Sequence, residues 1–115
     1  MAIQVKRAYV RPDKHDGKRV LVDRVWPRGV RKENLKIDDW LKTIAPSTEL
    51  RQWFEHDPDK WPEFKKRYFR ELRSHQDEVD LLRQEADRGT VTLLFSAKEE
   101  RFNNATALKE YLERR

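Results

Sequence analysis

The sequence predicts a small α/β sandwich built on one domain, 1–115. About three strands, the central ones parallel, are covered by four or five helices. Three observations carry that prediction. The run TVTLLFS at Thr90–Ser96 is apolar on both sides, which suits a central strand covered by helices. A long stretch from Trp61 to Ala86 keeps an apolar stripe at helical spacing. A short β-branched run, RVLVD at Arg19–Asp23, precedes it, so strand, helices and strand follow one another in the order of a parallel crossover.

Taken in order, Ile3–Tyr9 alternates Ile3, Val5 and Arg7 against Gln4, Lys6 and Ala8 and reads as a half-exposed strand. Residues 10–18 form a polar loop with Pro12 and Gly17 as turn residues. Arg19–Asp23 is the second strand, ended by Trp26-Pro27-Arg28-Gly29. There Pro27 holds Trp26 extended and Gly29 permits a sharp turn. The link between these strands is short for a crossover, which leaves an antiparallel pairing open. Asp38 and Asp39 precede a short helical turn carrying Trp40, Leu41 and Ile44, stopped by Pro46. Ser47 is placed to cap a helix over Thr48–Glu55, and Asp57-Pro58-Asp59 starts the next, with Pro62 in its first turn. Ser74-His75-Gln76-Asp77 resembles a fresh capping signal, so the stripe is read as two helices broken near Ser74. Gly89 closes the second as its C′ residue. Asn103 or Asn104 caps a last helix with Ala105, Leu108, Tyr111 and Leu112 inward.

Composition narrows the function classes. Apolar residues make up 37% and charged residues 41%, a thin core under a charged surface, yet four Trp, five Phe and three Tyr give that core large members. With no cysteine, disulfides, thiolate catalysis and Cys-ligated metals are excluded. No apolar run approaches the ~20 residues of a membrane span, and MAIQVKRAYV lacks the apolar region of a signal peptide; a cytoplasmic location without membrane contact is the expectation. The net charge of +5 is unevenly placed: residues 1–37 hold 11 Lys/Arg against 4 Asp/Glu, a net +7. That favours an anionic partner at the N-terminal third, a small phosphate- or carboxylate-bearing molecule or nucleic acid.

Ligands of open α/β sheets bind beyond the carboxyl ends of parallel strands. Here those ends carry Asp23, Arg24, Trp26, Arg28 and Gly29 after the second strand, and Ser96 and Lys98 after the third, with Asn103 and Asn104 at the start of the last helix. An arginine fork suits phosphate and carboxylate geometry, so Arg24 and Arg28 are the anion holders. Asp23 is the candidate base or orienter, with a structural ion pair to the neighbouring arginines as its alternative. Ser96 and Lys98 assist. Ser96 as a nucleophile needs an adjacent base, and none is visible in sequence, which favours a hydrogen-bonding role. Trp26 either fixes the turn or offers a stacking wall. His56 and Asp57 form either an orienting pair or a helix start. The three histidines, His15, His56 and His75, make no ligand array, so no metal site is expected, and no motif calls for a cofactor. Two alternatives stand beside an anion-binding protein with or without enzymatic chemistry. One is a nucleic-acid-binding module drawing on the +7 third. The other is a non-catalytic interaction domain using the Trp40/Trp53/Trp61 segment. The oligomeric state is left open.

The runs RVLVDRVWPRG (Arg19–Gly29), DDWLKTIAPSTELRQWFEHDPDKW (Asp38–Trp61) and GTVTLLFSAKEERFNNATALKEYL (Gly89–Leu112) resemble the YeaO-like bacterial proteins, a domain of unknown function. The resemblance covers nearly the whole chain. It implies a bacterial cytoplasmic α/β protein with no established activity. It singles out Asp23, Arg24, Trp26, Pro27, Arg28, Gly29, Pro46, Ser47, Trp53, Phe54, His56 and Asn103/Asn104 as matching shared motifs. It also implies that Phe95-Ser96 stands where relatives often carry a Tyr and a small residue, a departure that weakens an enzymatic reading.

Overall fold

The computed structural model describes residues 1–114. Its elements run β1 (Ala2–Arg7), β2 (Lys18–Leu21), α1 (Lys32–Leu35), β3 (Asp39–Trp40), α2 (Thr48–Phe54), α3 (Trp61–Leu72), α4 (Gln76–Arg88), β4 (Thr90–Phe95) and α5 (Asn104–Glu113). The four strands form one sheet in the order β1-β4-β2-β3, with every pairing parallel. β4 pairs with both β1 and β2; Leu93 stands opposite Val5 on one side and Val20 on the other. This is why its run is apolar on both faces: Val91 to Phe95 are all buried.

The sequence leaves open an antiparallel β1–β2 pair. The structure corrects this: the two strands are parallel and never meet, because β4 lies between them. The connecting segment, with a single 3₁₀ turn at Lys14–Asp16, crosses over β4 instead. Asp16 anchors it, accepting from Lys6 and Arg19 while its own carbonyl accepts from the Thr92 hydroxyl at 2.6 Å. Gly17 follows at φ +64, and a Cβ there would sit 2.3 Å from the Thr90 carbonyl oxygen. A second correction concerns Asp39 and Trp40. They are not helical but pair with Val20 and Leu21 as the edge strand β3, and only Lys42–Ile44 forms a 3₁₀ turn. The backbone groups of β2 left open on that side are better satisfied by a strand than by an isolated turn.

Strand alternation sorts the core into two layers. Ile3, Val20, Val22, Val91, Leu93 and Phe95 face α2, α3, α4 and α5, whose buried members include Phe54, Phe64, Tyr68, Leu72, Val79, Leu82 and Leu108. Leu21 and Leu94 face the other way, into a smaller cluster with Ala8 and Leu35 that Trp26, Val30, Ile37 and Trp40 cover. The sheet therefore has helices on one face and a strap, residues 24–40, on the other.

The helix boundaries follow local chemistry. Ser47 Oγ accepts from Leu50 N at 3.1 Å and starts α2. Asn103 Oδ1 accepts from Thr106 N at 2.9 Å and starts α5. The break between α3 and α4 falls at Arg73–His75, but no side chain caps α4; His75 at φ −121 simply leaves the helical region. Gly89 ends α4 in extended backbone, φ −178, rather than in a left-handed cap.

Candidate functional site

Parallel pairing of β2 with β4 brings their carboxyl ends side by side, and a cavity of about 450 Å³ opens beyond them. Most of its walls come from four places. The end of β2 gives Asp23, Arg24, Val25, Trp26 and Arg28. The end of β4 gives Ser96 and Ala97. The start of α5 gives Asn103 and Asn104. The segment around α2 gives Ala45, Pro46, Arg51, Phe54 and His56. Of the residues expected at the site, Asp23, Arg24, Trp26, Arg28, Ser96, Asn103, Asn104 and His56 all line this one cavity. Gly29 and Lys98 do not. Gly29, at φ +79, shapes the turn behind Arg28, and Lys98 is exposed on the loop after β4.

Asp23 sits at the centre of the polar wall. Its Oδ2 accepts from the Ser96 backbone N–H at 2.9 Å and from Ser96 Oγ at 2.7 Å, and its Oδ1 accepts from Asn104 Nδ2 at 3.0 Å. Asn104 Nδ2 also donates to the Val22 carbonyl at 3.1 Å. The carboxylate thus fastens β2, β4 and α5 together. The carboxylate that sequence spacing could not place beside Ser96 stands 73 positions upstream. The alternative expectation, an ion pair from Asp23 to Arg24 or Arg28, is absent among the described residues.

The arginines have a different surrounding. Arg24 Nη2 donates to the Ala45 carbonyl at 3.2 Å and reaches the Pro46 carbonyl at 3.5 Å, while its Nε is buried without a partner. Glu71, the acid that reaches this corner, is taken by Ser47, whose N–H and hydroxyl donate to it at 2.9 and 2.7 Å. Arg28 is exposed, and its carbonyl accepts from Tyr9 Oη at 3.0 Å. Arg51, exposed on α2, is the third arginine of the lining. None of the three is ion-paired among the described residues. Three arginines therefore share a cavity with one carboxylate, and protein donors already occupy that carboxylate.

The remaining lining residues divide by role. Asn103 is only 2% exposed; it caps α5 and donates to the Glu99 carbonyl at 2.9 Å, which leaves its side chain few free positions. Trp26 donates from Nε1 to the Val30 carbonyl at 2.7 Å and packs edge-on against Trp40 at 5.4 Å, so it fixes the turn while one part faces the cavity. His56 is exposed at φ +56, directly after Glu55 at φ +50. Two consecutive left-handed residues without glycine are costly, and such strain gathers at functional positions. Asp57 does not pair with His56 but accepts from Asp59 N at 3.0 Å, a helix-start role. Tyr9, Val25, Arg51 and Phe64 line the cavity without any local signal in the sequence. Tyr9 and Phe64 arrive from β1's end and from α3, a long-range consequence of the strand order.

Among the described residues no group of three or more His, Asp or Glu side chains is placed to hold a metal, and no helix is long and apolar enough to cross a membrane. The Trp40/Trp53/Trp61 segment offers little free apolar surface. All three rings are partly buried, with Lys42 over Trp40 at 4.1 Å, Arg67 over Trp53 at 4.0 Å and Lys65 over Trp61 at 5.6 Å.

No solved structure matches the chain. Curated relatives do. An uncharacterised Escherichia coli protein, YeaO, is 43% identical over 112 residues, covering 97% of each chain. The uncharacterised proteins Rv3073c of Mycobacterium tuberculosis and Mb3100c of Mycobacterium bovis are each 38% identical over 110 residues, 96% of this chain and 92% of theirs. A family model described as the inactive DUF488-N3 subclade matches residues 2–115, and the chain belongs to that family.

Proposed function

We propose that the cavity at the carboxyl ends of β2 and β4 binds a small phosphate- or carboxylate-bearing molecule and does not transform it. One observation carries this reading: Arg24, Arg28 and Arg51 line the cavity without a carboxylate partner, and Arg24 holds a buried Nε with nothing to donate to. A buried unpaired donor costs about 1–3 kcal/mol, a cost kept at a residue that lines the cavity and has no carboxylate to neutralise its charge. Catalysis is disfavoured on the same geometry. Ser96 touches Asp23, but that carboxylate takes three protein donors and the residue beside Ser96 is Phe95, buried in the core. The description of the family model as an inactive subclade agrees.

Thermal unfolding at low salt with phosphate, acetate and short nucleic acids tests the reading. A ligand at a hundred times its dissociation constant adds about 2.7 kcal/mol, a shift on the order of 10 °C for a chain of this length. That shift is expected from a small anion and is lost in Arg24→Ala/Arg28→Ala. No response to any small anion refutes the proposal. A response to nucleic acid alone, steeply weakened by salt, transfers the arginines to a nucleic-acid surface.

A further inference from the structure

The cavity is larger and more apolar than an inorganic anion needs. Its volume, about 450 Å³, lies in the range of roughly 300–1,000 Å³ typical of sites for organic ligands. Phe54 and Phe64 stack in its wall with ring centroids 4.4 Å apart, next to buried Ala45 and Pro46. The mouth is apolar as well. The large apolar side chains exposed on this molecule, among the described residues, are Met1, Tyr9, Val10, Val25 and Leu81. Val25, at 63% the most exposed of them, and Tyr9 line the cavity, and Val10 adjoins Tyr9 in sequence. The Tyr9 ring is held in place beside the cationic rim: Arg7 lies over it at 5.1 Å, and its hydroxyl donates to the Arg28 carbonyl. On the polar wall Ser96 and Asn104 both donate to Asp23, so the arginines supply the positive charge of the cavity without a carboxylate partner.

From this juxtaposition of unpaired arginines with an aromatic wall and an apolar mouth, we infer that the ligand is an anion carrying a flat apolar group, an aryl phosphate or aryl carboxylate in class. The inference rests on the anion-binding reading above and narrows it. The arginines take the charge; Phe54, Phe64, Pro46 and the rim residues Tyr9 and Val25 take the ring. Exposed apolar residues gathered at one opening are otherwise unexplained on a surface this charged.

Calorimetric titration of the full chain with two matched pairs, methyl against phenyl phosphate and acetate against benzoate, tests it. Burying a phenyl group is worth about 10- to 100-fold in affinity, and that preference is expected in at least one pair. Tyr9→Ser, at an exposed position, is expected to lower the affinity for phenyl phosphate or benzoate more than that for methyl phosphate or acetate, so that the aryl preference falls severalfold. Equal affinity within both pairs overturns the aryl inference and leaves the anion pocket standing. Absence of binding by all four ligands overturns the anion pocket itself. The wild-type comparison needs no variant, so a Tyr9→Ser protein that fails to fold does not blunt the test.

Discussion

Replacing Arg24 by Met separates what the arginine does for the fold from what it does for a ligand. The methionine keeps much of the stem's volume and removes the guanidinium. Removing the buried, unpartnered Nε relieves about 1–3 kcal/mol of desolvation cost. Against this stand the Nη2 contacts, one to Ala45 at 3.2 Å and one at 3.5 Å to Pro46, the latter at the edge of a hydrogen bond. Together they are worth about 1 kcal/mol. The balance is a variant between unchanged and about 2 kcal/mol more stable, an upward shift of up to roughly 8 °C in Tm for this chain length. The same variant is expected to lose the thermal response to small anions. Stability gained with binding lost is the signature of a residue kept for a ligand. Chemical denaturation of wild type and variant, with and without phosphate, reads both quantities. A variant destabilised by more than about 1 kcal/mol would show that the arginine belongs to the architecture. An unaltered phosphate response would show that it does not hold the anion.

Four further outcomes are expected. Asp23→Ala removes the acceptor of three bonds from Ser96 and Asn104 and should cost about 2–4 kcal/mol in urea denaturation; a loss below about 0.5 kcal/mol would mean these bonds do not fasten the strand ends. Gly17→Ala should cost about 3 kcal/mol or more, because its Cβ meets Thr90 backbone and its φ is +64, whereas Gly29→Ala, with open space around it, should cost only about 1 kcal/mol for the positive φ. Equal effects at the two glycines would deny the close approach over β4. Burial works to raise the Asp16 carboxyl's pKa, but hydrogen bonds from the Asp13 backbone, Lys6 and Arg19 overcome it and hold the group below its ordinary value of 3.8. A carboxylate lowered in the folded state stabilises above its unfolded pKa, so that contribution is present above about pH 4 and is lost as pH falls further; in Asp16→Asn the stability curve measured below pH 5 should be flatter than in wild type. Tyr68, whose phenol burial pushes well above its usual range, donates to the Ile44 carbonyl at 2.7 Å, and Tyr68→Phe should cost about 1 kcal/mol without moving anion binding.

What the residues reveal locally and what they conceal have different physical origins. The capping roles of Ser47 and Asn103 are written within four residues, because a side-chain oxygen satisfies a helix N–H only at that range. The central strand Thr90–Phe95 is legible because Val91, Leu93, Leu94 and Phe95 put apolar side chains on both of its faces. The strand order is not legible. Nothing in residues 8–17 says that they cross over β4, since β4 arrives some 70 positions later and the buried Asp16 that anchors the crossing looks in sequence like any loop acid. The edge strand Asp39–Trp40 is too short for periodicity to show. The strand-end rule groups Asp23, Arg24, Arg28 and Ser96, and these residues line one cavity because parallel pairing of β2 with β4 makes their ends neighbours. It also groups Lys98, which the chain's turn after Ala97 carries into solvent, and it leaves out Tyr9, Arg51 and Phe64, which reach the cavity only through long-range packing.

The contact between Ser96 and Asp23 shows why proximity alone does not make a catalytic pair. A carboxylate that serves as a base must change its bonding during the reaction, releasing some donors as it accepts a proton. Asp23 accepts the Ser96 backbone N–H through the same oxygen that accepts the Ser96 hydroxyl, and its other oxygen holds the side chain that opens α5. Protonating it would weaken all three bonds at once and loosen the junction of β2, β4 and α5. The arginines of the cavity have no carboxylate to hold: Arg24 donates only to the Ala45 and Pro46 carbonyls, and the other two are exposed. The two sides of the cavity are thus built for different tasks, a rigid acidic rivet on one and uncommitted positive charge on the other. On the proposed reading such a site holds an anion through its arginines, while the contact between Ser96 and Asp23 serves the fold.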